Sequence, residues 1–175
     1  MTEKYFFDTD CLSAFLWIRG ESILGKLYPG EIVLPAQVYD ELKRVPHLLD
    51  RVNAMKDASL LEIGQITTGT AEYEAYMKMT VSPAHGLRLI GKGEAAAIAM
   101  TSCRGGVLAS NNLKDVAAYV RQLGLEHITT GDILQRALKE NIISEDEGNV
   151  IWAEMIQKRR MLPTKTFSEF LRENR

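Results

Sequence analysis

Short apolar runs alternate with segments of helical period over most of the chain, the pattern of an α/β fold with a parallel sheet. Tyr5-Phe6-Phe7 predicts a first buried strand that ends at Asp8. A helix from Cys11 to Ile18 follows, with Leu12, Phe15 and Leu16 on one face. Tyr28-Pro29-Gly30 reads as a turn before a second strand, Ile32-Val33-Leu34. Pro35 sits where a first helical turn tolerates proline and opens a helix from Ala36 to Val45, which Pro46 is expected to stop. From Leu48 to Arg88 the pattern is weak, with a short strand at Leu60–Ile63, a helix from Ala71 to Met79 and a loop at Ser82–Gly86. Gly91-Lys92-Gly93 leads into an Ala-rich helix, Glu94 to Thr101, closed by Gly105 and Gly106. Val107-Leu108-Ala109 predicts a buried strand ending in Ser110-Asn111-Asn112, followed by a helix from Lys114 to Leu123 and a strand at His127–Thr129. Beyond that only helices are predicted: Gly131 to Asn141, Asp146 to Met161, and a last amphipathic piece carrying Phe167, Phe170 and Leu171. The division expected is an α/β domain over 1–130 and a helical extension over 131–175 packed on it.

Composition narrows the picture modestly. With 46% hydrophobic and 25% charged residues, 175 residues suit one ordinary globular domain and exclude a disordered chain. The net charge of −2 gives no overall attraction for nucleic acid, so any such contact needs a local basic patch. The stretch from Trp152 to the C-terminus is the basic one, with six Lys or Arg against three Glu. Cys11 and Cys103 lack metal-finger spacing, and both are expected to be small buried thiols. The opening residues show no basic region ahead of an apolar run, and no run approaches the roughly 20 residues of a membrane span. A reduced, cytoplasmic setting without membrane contact is therefore expected.

In open α/β sheets, ligands bind outside the carboxyl ends of the strands, and the acids of this chain fall there. Asp8 and Asp10 follow the first strand, Glu41 lies on the helix after the second, Glu94 begins the helix after the glycine turn, and Asn112 and Asp115 follow the later strand. Val38, Glu41, Leu42 and Val45 share one helix face, so Glu41 points among apolar residues. An inward carboxylate costs several kcal/mol unless something pairs with it. Few basic residues face inward, whereas a divalent cation would satisfy several acids, and hard oxygen donors suit Mg²⁺ or Mn²⁺. The four acids other than Glu41 also have a plain structural role open to them: Asp8 and Asp10 as helix caps, Glu94 and Asp115 as first-turn acids. Their common position at strand-to-helix junctions is what sets the group apart.

The order of these motifs resembles that of PIN domains. Phe6-Phe7-Asp8-Thr9-Asp10-Cys11-Leu12-Ser13 is similar to their opening motif, and Leu34-Pro35-Ala36-Gln37-Val38-Tyr39-Asp40-Glu41-Leu42 to their second. Gly91-Lys92-Gly93-Glu94-Ala95-Ala96-Ala97 resembles the third, and Leu108-Ala109-Ser110-Asn111-Asn112-Leu113-Lys114-Asp115 the fourth, as in VapC-type ribonuclease toxins. The resemblance runs from about Lys4 to Thr130. It departs from the family pattern at Asp10, where Asn is more usual, at Asn112, which is often Asp, and in the longer helical tail.

The resemblance implies a three-layer sandwich with a central, mostly parallel sheet, and a metal-dependent nuclease domain over 1–130. It implies hydrolysis of single-stranded or structured RNA to 5′-phosphate and 3′-hydroxyl ends, with Mg²⁺ or Mn²⁺ on Asp8, Glu94 and Asp115. Glu41 would bind a second ion or orient the attacking water, with Asp10, Ser110 and Asn112 in support. It also implies a homodimer and an antitoxin protein as partners. Lys92, Lys114, Lys158, Arg159 and Arg160 are the candidate RNA contacts, while His47, His85 and His127 are expected to be structural. Two other readings stand beside this one. An apolar strand before Asp8-Thr9-Asp10 also resembles haloacid-dehalogenase-type phosphohydrolases, although their later acidic pair has no counterpart and Glu41 and Glu94 go unused. A catalytically weak PIN-like binding module is the other, supported by Asn112 in the place of an acid.

Overall fold

A computed structural model describes residues 2–175. In chain order its elements are β1 (Tyr5–Phe7), α1 (Thr9–Trp17), α2 (Glu21–Leu27), β2 (Ile32–Pro35), α3 (Ala36–Leu42), α4 (Pro46–Asp57), β3 (Leu61–Gly64) and α5 (Ala71–Thr80). They continue as α6 (Lys92–Arg104), β4 (Val107–Ala109), α7 (Leu113–Leu123), β5 (Glu126–Ile128), α8 (Thr130–Lys139), α9 (Glu145–Gln157) and α10 (Phe167–Glu173).

The strands form one sheet in the order β3-β2-β1-β4-β5, and every pairing is parallel. Its central strands are apolar throughout because both faces are covered. Tyr5 and Phe7 enter one core, with Ile32, Leu34, Val107 and Ala109. Phe6, Val33 and Leu108 enter the other. The first core is closed by α1, α2, α3, α4, α8, α9 and α10 and the second by α5, α6 and α7, which makes the three-layer sandwich. Alanine in α6 gives that helix its close seat: Ala95 to Met100 are all fully buried. Arg104, at its end, makes a two-pronged ion pair with the mostly buried Glu72 of α5, at 2.7 and 2.8 Å.

The strand order reverses direction at β1, which has β2 on one side and β4 on the other. That reversal opens a crevice beyond the carboxyl ends of β1 and β4, where such sheets bind ligands. Asp8 and Ser110 are the residues that leave those two strands.

The tail is anchored by aromatic packing. Trp152 of α9 is fully buried, its ring 5.7 Å from Phe167 and 5.3 Å from Phe170, and its indole N–H donates to the Thr164 carbonyl. Two glycines make room for those rings. A Cβ on Gly131 would lie 2.4 Å from Phe170 and one on Gly148 would lie 2.3 Å from Phe167.

Four details differ from the sequence expectation. The helix after β2 ends at Leu42, and Pro46 opens α4 as a first-turn proline instead of ending its predecessor. Helix α2, seven residues long with Gly25 in its interior, has no counterpart among the predicted elements. Helix α9 stops at Gln157, short of Met161, because the chain reverses there with Arg159 at a φ of 59°. Cys11 is buried as expected, whereas Cys103 is exposed on the outer side of α6. Among the described residues, no helix is long and apolar enough to cross a membrane.

Candidate active site

Asp8 ends β1 and caps α1. Its Oδ1 accepts the Cys11 N–H at 2.8 Å, satisfying one of the donors that a helix start leaves open. The capping role is therefore real, but it uses only one oxygen. Asp8 is fully buried, and its Oδ2 has no hydrogen-bond partner. Ser110, equally buried, also leaves its hydroxyl oxygen unpartnered. Burial pushes the Asp8 carboxyl up to about 7, opposed by the Ser110 hydroxyl, which lies near the carboxyl but outside hydrogen-bonding geometry, and by the Cys11 N–H, and reinforced by the negative charges of Asp10 and Glu94.

Glu41 is held from two sides. The Thr9 hydroxyl donates to its Oε2, and the Gly93 backbone N–H donates to its Oε1 at 3.0 Å. This ties α3 to the starts of α1 and α6. Gly93 is required by the closeness of that approach: a Cβ there would lie 2.9 Å from Thr9 Oγ1 and 3.0 and 3.1 Å from the Glu41 oxygens.

Glu94 and Asp115 meet across Asn112. The Asn112 amide donates to Glu94 Oε1 at 2.7 Å and to Asp115 Oδ2 at 3.0 Å, while its own oxygen caps α7 at the Asp115 N–H. The residue thus turns its amide nitrogen, and not its carbonyl, toward the acids. Burial raises the Glu94 carboxyl, opposed by Asn112 and the Gly91 N–H and reinforced by the charges of Asp115 and Glu41.

The five acids therefore share one neighbourhood at the carboxyl edge of the sheet. Among the described residues, no three His, Cys, Asp or Glu side chains converge on a point where an ion could sit as they stand. The donor chemistry nevertheless fits a hard divalent cation. Asp8 keeps a buried, unpartnered oxygen, Glu94 and Asp115 supply two more carboxylates, and burial, reinforced by the neighbouring acids, raises the carboxyls of Asp8 and Glu94.

A family model described as a PIN domain matches residues 4–175. The chain belongs to the PIN-domain family. No curated protein and no solved structure matched it. The match to the PIN domain takes in the helical tail as well as the sheet. PIN domains are usually nucleases and generally use divalent ions, which agrees with the acids gathered here.

The candidate cations are distributed unevenly. Lys92 and Lys114 are exposed in the first turns of α6 and α7, directly before Gly93-Glu94 and Asp115. Arg160 comes from the tail, with its guanidinium 3.6 Å from Asp10 Oδ1 and donating to Ser13 Oγ at 3.3 Å. Lys158 lies over the Trp17 ring and Arg159 is exposed. Of the histidines, His127 bonds the Ser110 carbonyl through Nε2, and His47 packs edge-on against Trp17. Sequence reasoning missed Thr9 and the Gly93 N–H as the clasp on Glu41. The one signal was a hydroxyl residue between the two aspartates.

Proposed function

We propose that this PIN domain is a metal-dependent endoribonuclease whose Mg²⁺ or Mn²⁺ is held by Asp8, Glu94 and Asp115. The observation that carries the reading is the unpartnered oxygen of a fully buried Asp8 at the sheet's crevice. Such an oxygen is costly unless a ligand completes it. When bound, the ion supplies a water of lowered pKa and neutralises charge on the scissile phosphate. The chain's own residues do the rest. Capping by Cys11 N–H fixes the Asp8 carboxyl. Glu41, clasped by Thr9 and Gly93, is a rigid acceptor suited to orienting the attacking water. Ser110 has a free hydroxyl to offer a phosphate oxygen. The resemblance to VapC-type toxins supports a role in a toxin–antitoxin pair and a homodimeric state.

The test is cleavage of a mixed single-stranded RNA pool with Mn²⁺ or Mg²⁺, beside EDTA and Asp8→Asn controls, with analysis of the product ends. Cleavage that needs both the metal and Asp8 and leaves 5′-phosphates is the expected outcome. One observation favours the binding-module reading: the neutral Asn112 amide already bridges Glu94 and Asp115. That alternative predicts RNA binding untouched by Asp8→Asn and only weak divalent binding by calorimetry.

A further inference from the structure

We propose that Trp17, Lys158 and Arg160 form a track for the RNA strand leading away from the acid cluster along α1, with His47 at its far end. The inference rests on the ribonuclease reading and adds the path of the substrate. An acid-lined site repels the phosphates it must cut, and the chain as a whole carries −2, so an RNA strand needs cations placed beside the acids. The tail brings them. After α9 the chain turns back, with the Arg159 N–H on the Ile156 carbonyl and the Arg160 N–H on the Met155 carbonyl, both at 2.9 Å. This turn lays Lys158 and Arg160 across α1. Arg160 is fixed at the cluster end by Asp10 and Ser13, and its guanidinium carbon is also 6.0 Å from the Trp17 ring centroid. Lys158 Nζ lies 5.9 Å from the same centroid. His47 meets that ring edge-on, with centroids 4.8 Å apart.

A clasp that only pinned the tail would be complete with Arg160 on Asp10. Among the described residues, however, Lys158 and Arg159 make no ion pair, and both are exposed. Half-exposed Trp17, flanked by Lys158, which makes no ion pair, and by the guanidinium of Arg160, has the composition that binds single strands, through base stacking and phosphate contact. Asp10 and Trp17 are about 10 Å apart along the helix, at 1.5 Å per residue. That is the length of about three stacked nucleotides at roughly 3.4 Å each. Such a track reads no base edge, so the binding it gives should be tolerant of sequence.

The chain has two tryptophans, and Trp152 is fully buried, so quenching by RNA reports on Trp17. The probe is a short mixed-sequence single-stranded RNA with phosphorothioate linkages, which slow cleavage, titrated into the full chain in Mg²⁺. Saturable quenching is expected. Lys158→Ala with Arg160→Ala should weaken binding and lower the salt slope by about 1.4, near 0.7 per phosphate contact on a single strand. For the Trp17 variants, which lack the reporter, binding is read by the anisotropy of the same RNA carrying a 5′ fluorophore: Trp17→Phe, which keeps an aromatic in place, should leave binding within a few fold, while Trp17→Ala should weaken it roughly tenfold. If the protein cleaves and binds RNA without quenching, or with the slope unchanged in the double variant, the track is wrong and the nuclease stands. Neither binding nor cleavage overturns both. Tighter quenching by polyglutamate than by RNA would overturn the track in favour of an acidic protein partner.

Discussion

At the scale of single residues, the site is short of counter-ions: Arg160 pairs with Asp10, while among the described residues Asp8, Glu41, Glu94 and Asp115 make no ion pair. Asp8 shows this most directly. Its carboxyl titrates at about 7 in the folded chain against an ordinary 3.8, so the folded state holds that proton more tightly than the unfolded one. In metal-free protein this contribution is complete below about pH 4 and is lost as pH rises through 7. Chelated protein should therefore melt at a lower temperature at pH 8 than at pH 5. The Asp8 share is up to roughly 4 kcal/mol, from about 1.4 kcal/mol per unit. Asp8→Asn keeps a capping oxygen for Cys11 and removes the charge, so it should abolish cleavage while raising the metal-free melting temperature at pH 8. A variant that melts lower than wild type without metal would mean that the buried carboxylate is paid for by some other contact. Asn112→Asp tests the other half of the cluster. The amide that bridges Glu94 and Asp115 would become a third carboxylate between them. Calorimetry should show Mg²⁺ binding tightened by about tenfold and metal-free stability reduced, since affinity for hard cations follows ligand charge.

Among elements, the start of α6 governs the geometry of the site, because one glycine lets it approach α3 and α1. Alanine at Gly93 would gain about 1 kcal/mol of helix propensity. Its Cβ would also press on Thr9 Oγ1 and both Glu41 oxygens, with Glu94 one residue further on. Gly93→Ala is expected to open the clasp and lower cleavage by about 100-fold, the cost of roughly 1 Å of misplacement, with a smaller effect on RNA affinity. Unchanged kcat would show that Glu41 needs no clasp. The strands were legible in the sequence because a doubly covered parallel strand leaves an unbroken apolar run, as at Tyr5–Phe7 and Val107–Ala109. Glu41 was legible too, as an acid on an apolar helix face. Pro46 was misread because the same residue ends one helix or opens another, and local pattern does not decide between them. The Thr9–Glu41–Gly93 clasp and the pairing of Arg160 with Asp10 join residues 32 to 150 positions apart, and nothing local encodes such contacts.

For the whole molecule, the open question is whether the sheet stands without its tail. The core on the α1 side runs without a break from Tyr5 to Leu171, and the PIN-domain match extends to residue 175. Removing 131–175 would strip Leu134, Trp152, Phe167 and Phe170 from that core, and residues 1–130 alone are expected not to fold. A more discriminating experiment uses the two glycine–aromatic seats. Phe167→Ala should cost about 3–5 kcal/mol, from lost burial and the cavity left behind. Gly148→Ala should cost about 1–3 kcal/mol by overpacking, because its Cβ would lie 2.3 Å from the Phe167 ring. In the double variant the new methyl enters the space the ring has left, so the two losses should not add. A coupling of about 1–3 kcal/mol is expected from urea unfolding of the four proteins. Strict additivity would mean that α9 and α10 shift apart freely, and that the tail is a loosely laid cover instead of part of the core. Because Lys158 and Arg160 lie in the connection that leaves α9 for α10, such looseness would also separate the track from the acids. RNA affinity should then fall in Phe167→Ala at temperatures well below its unfolding transition.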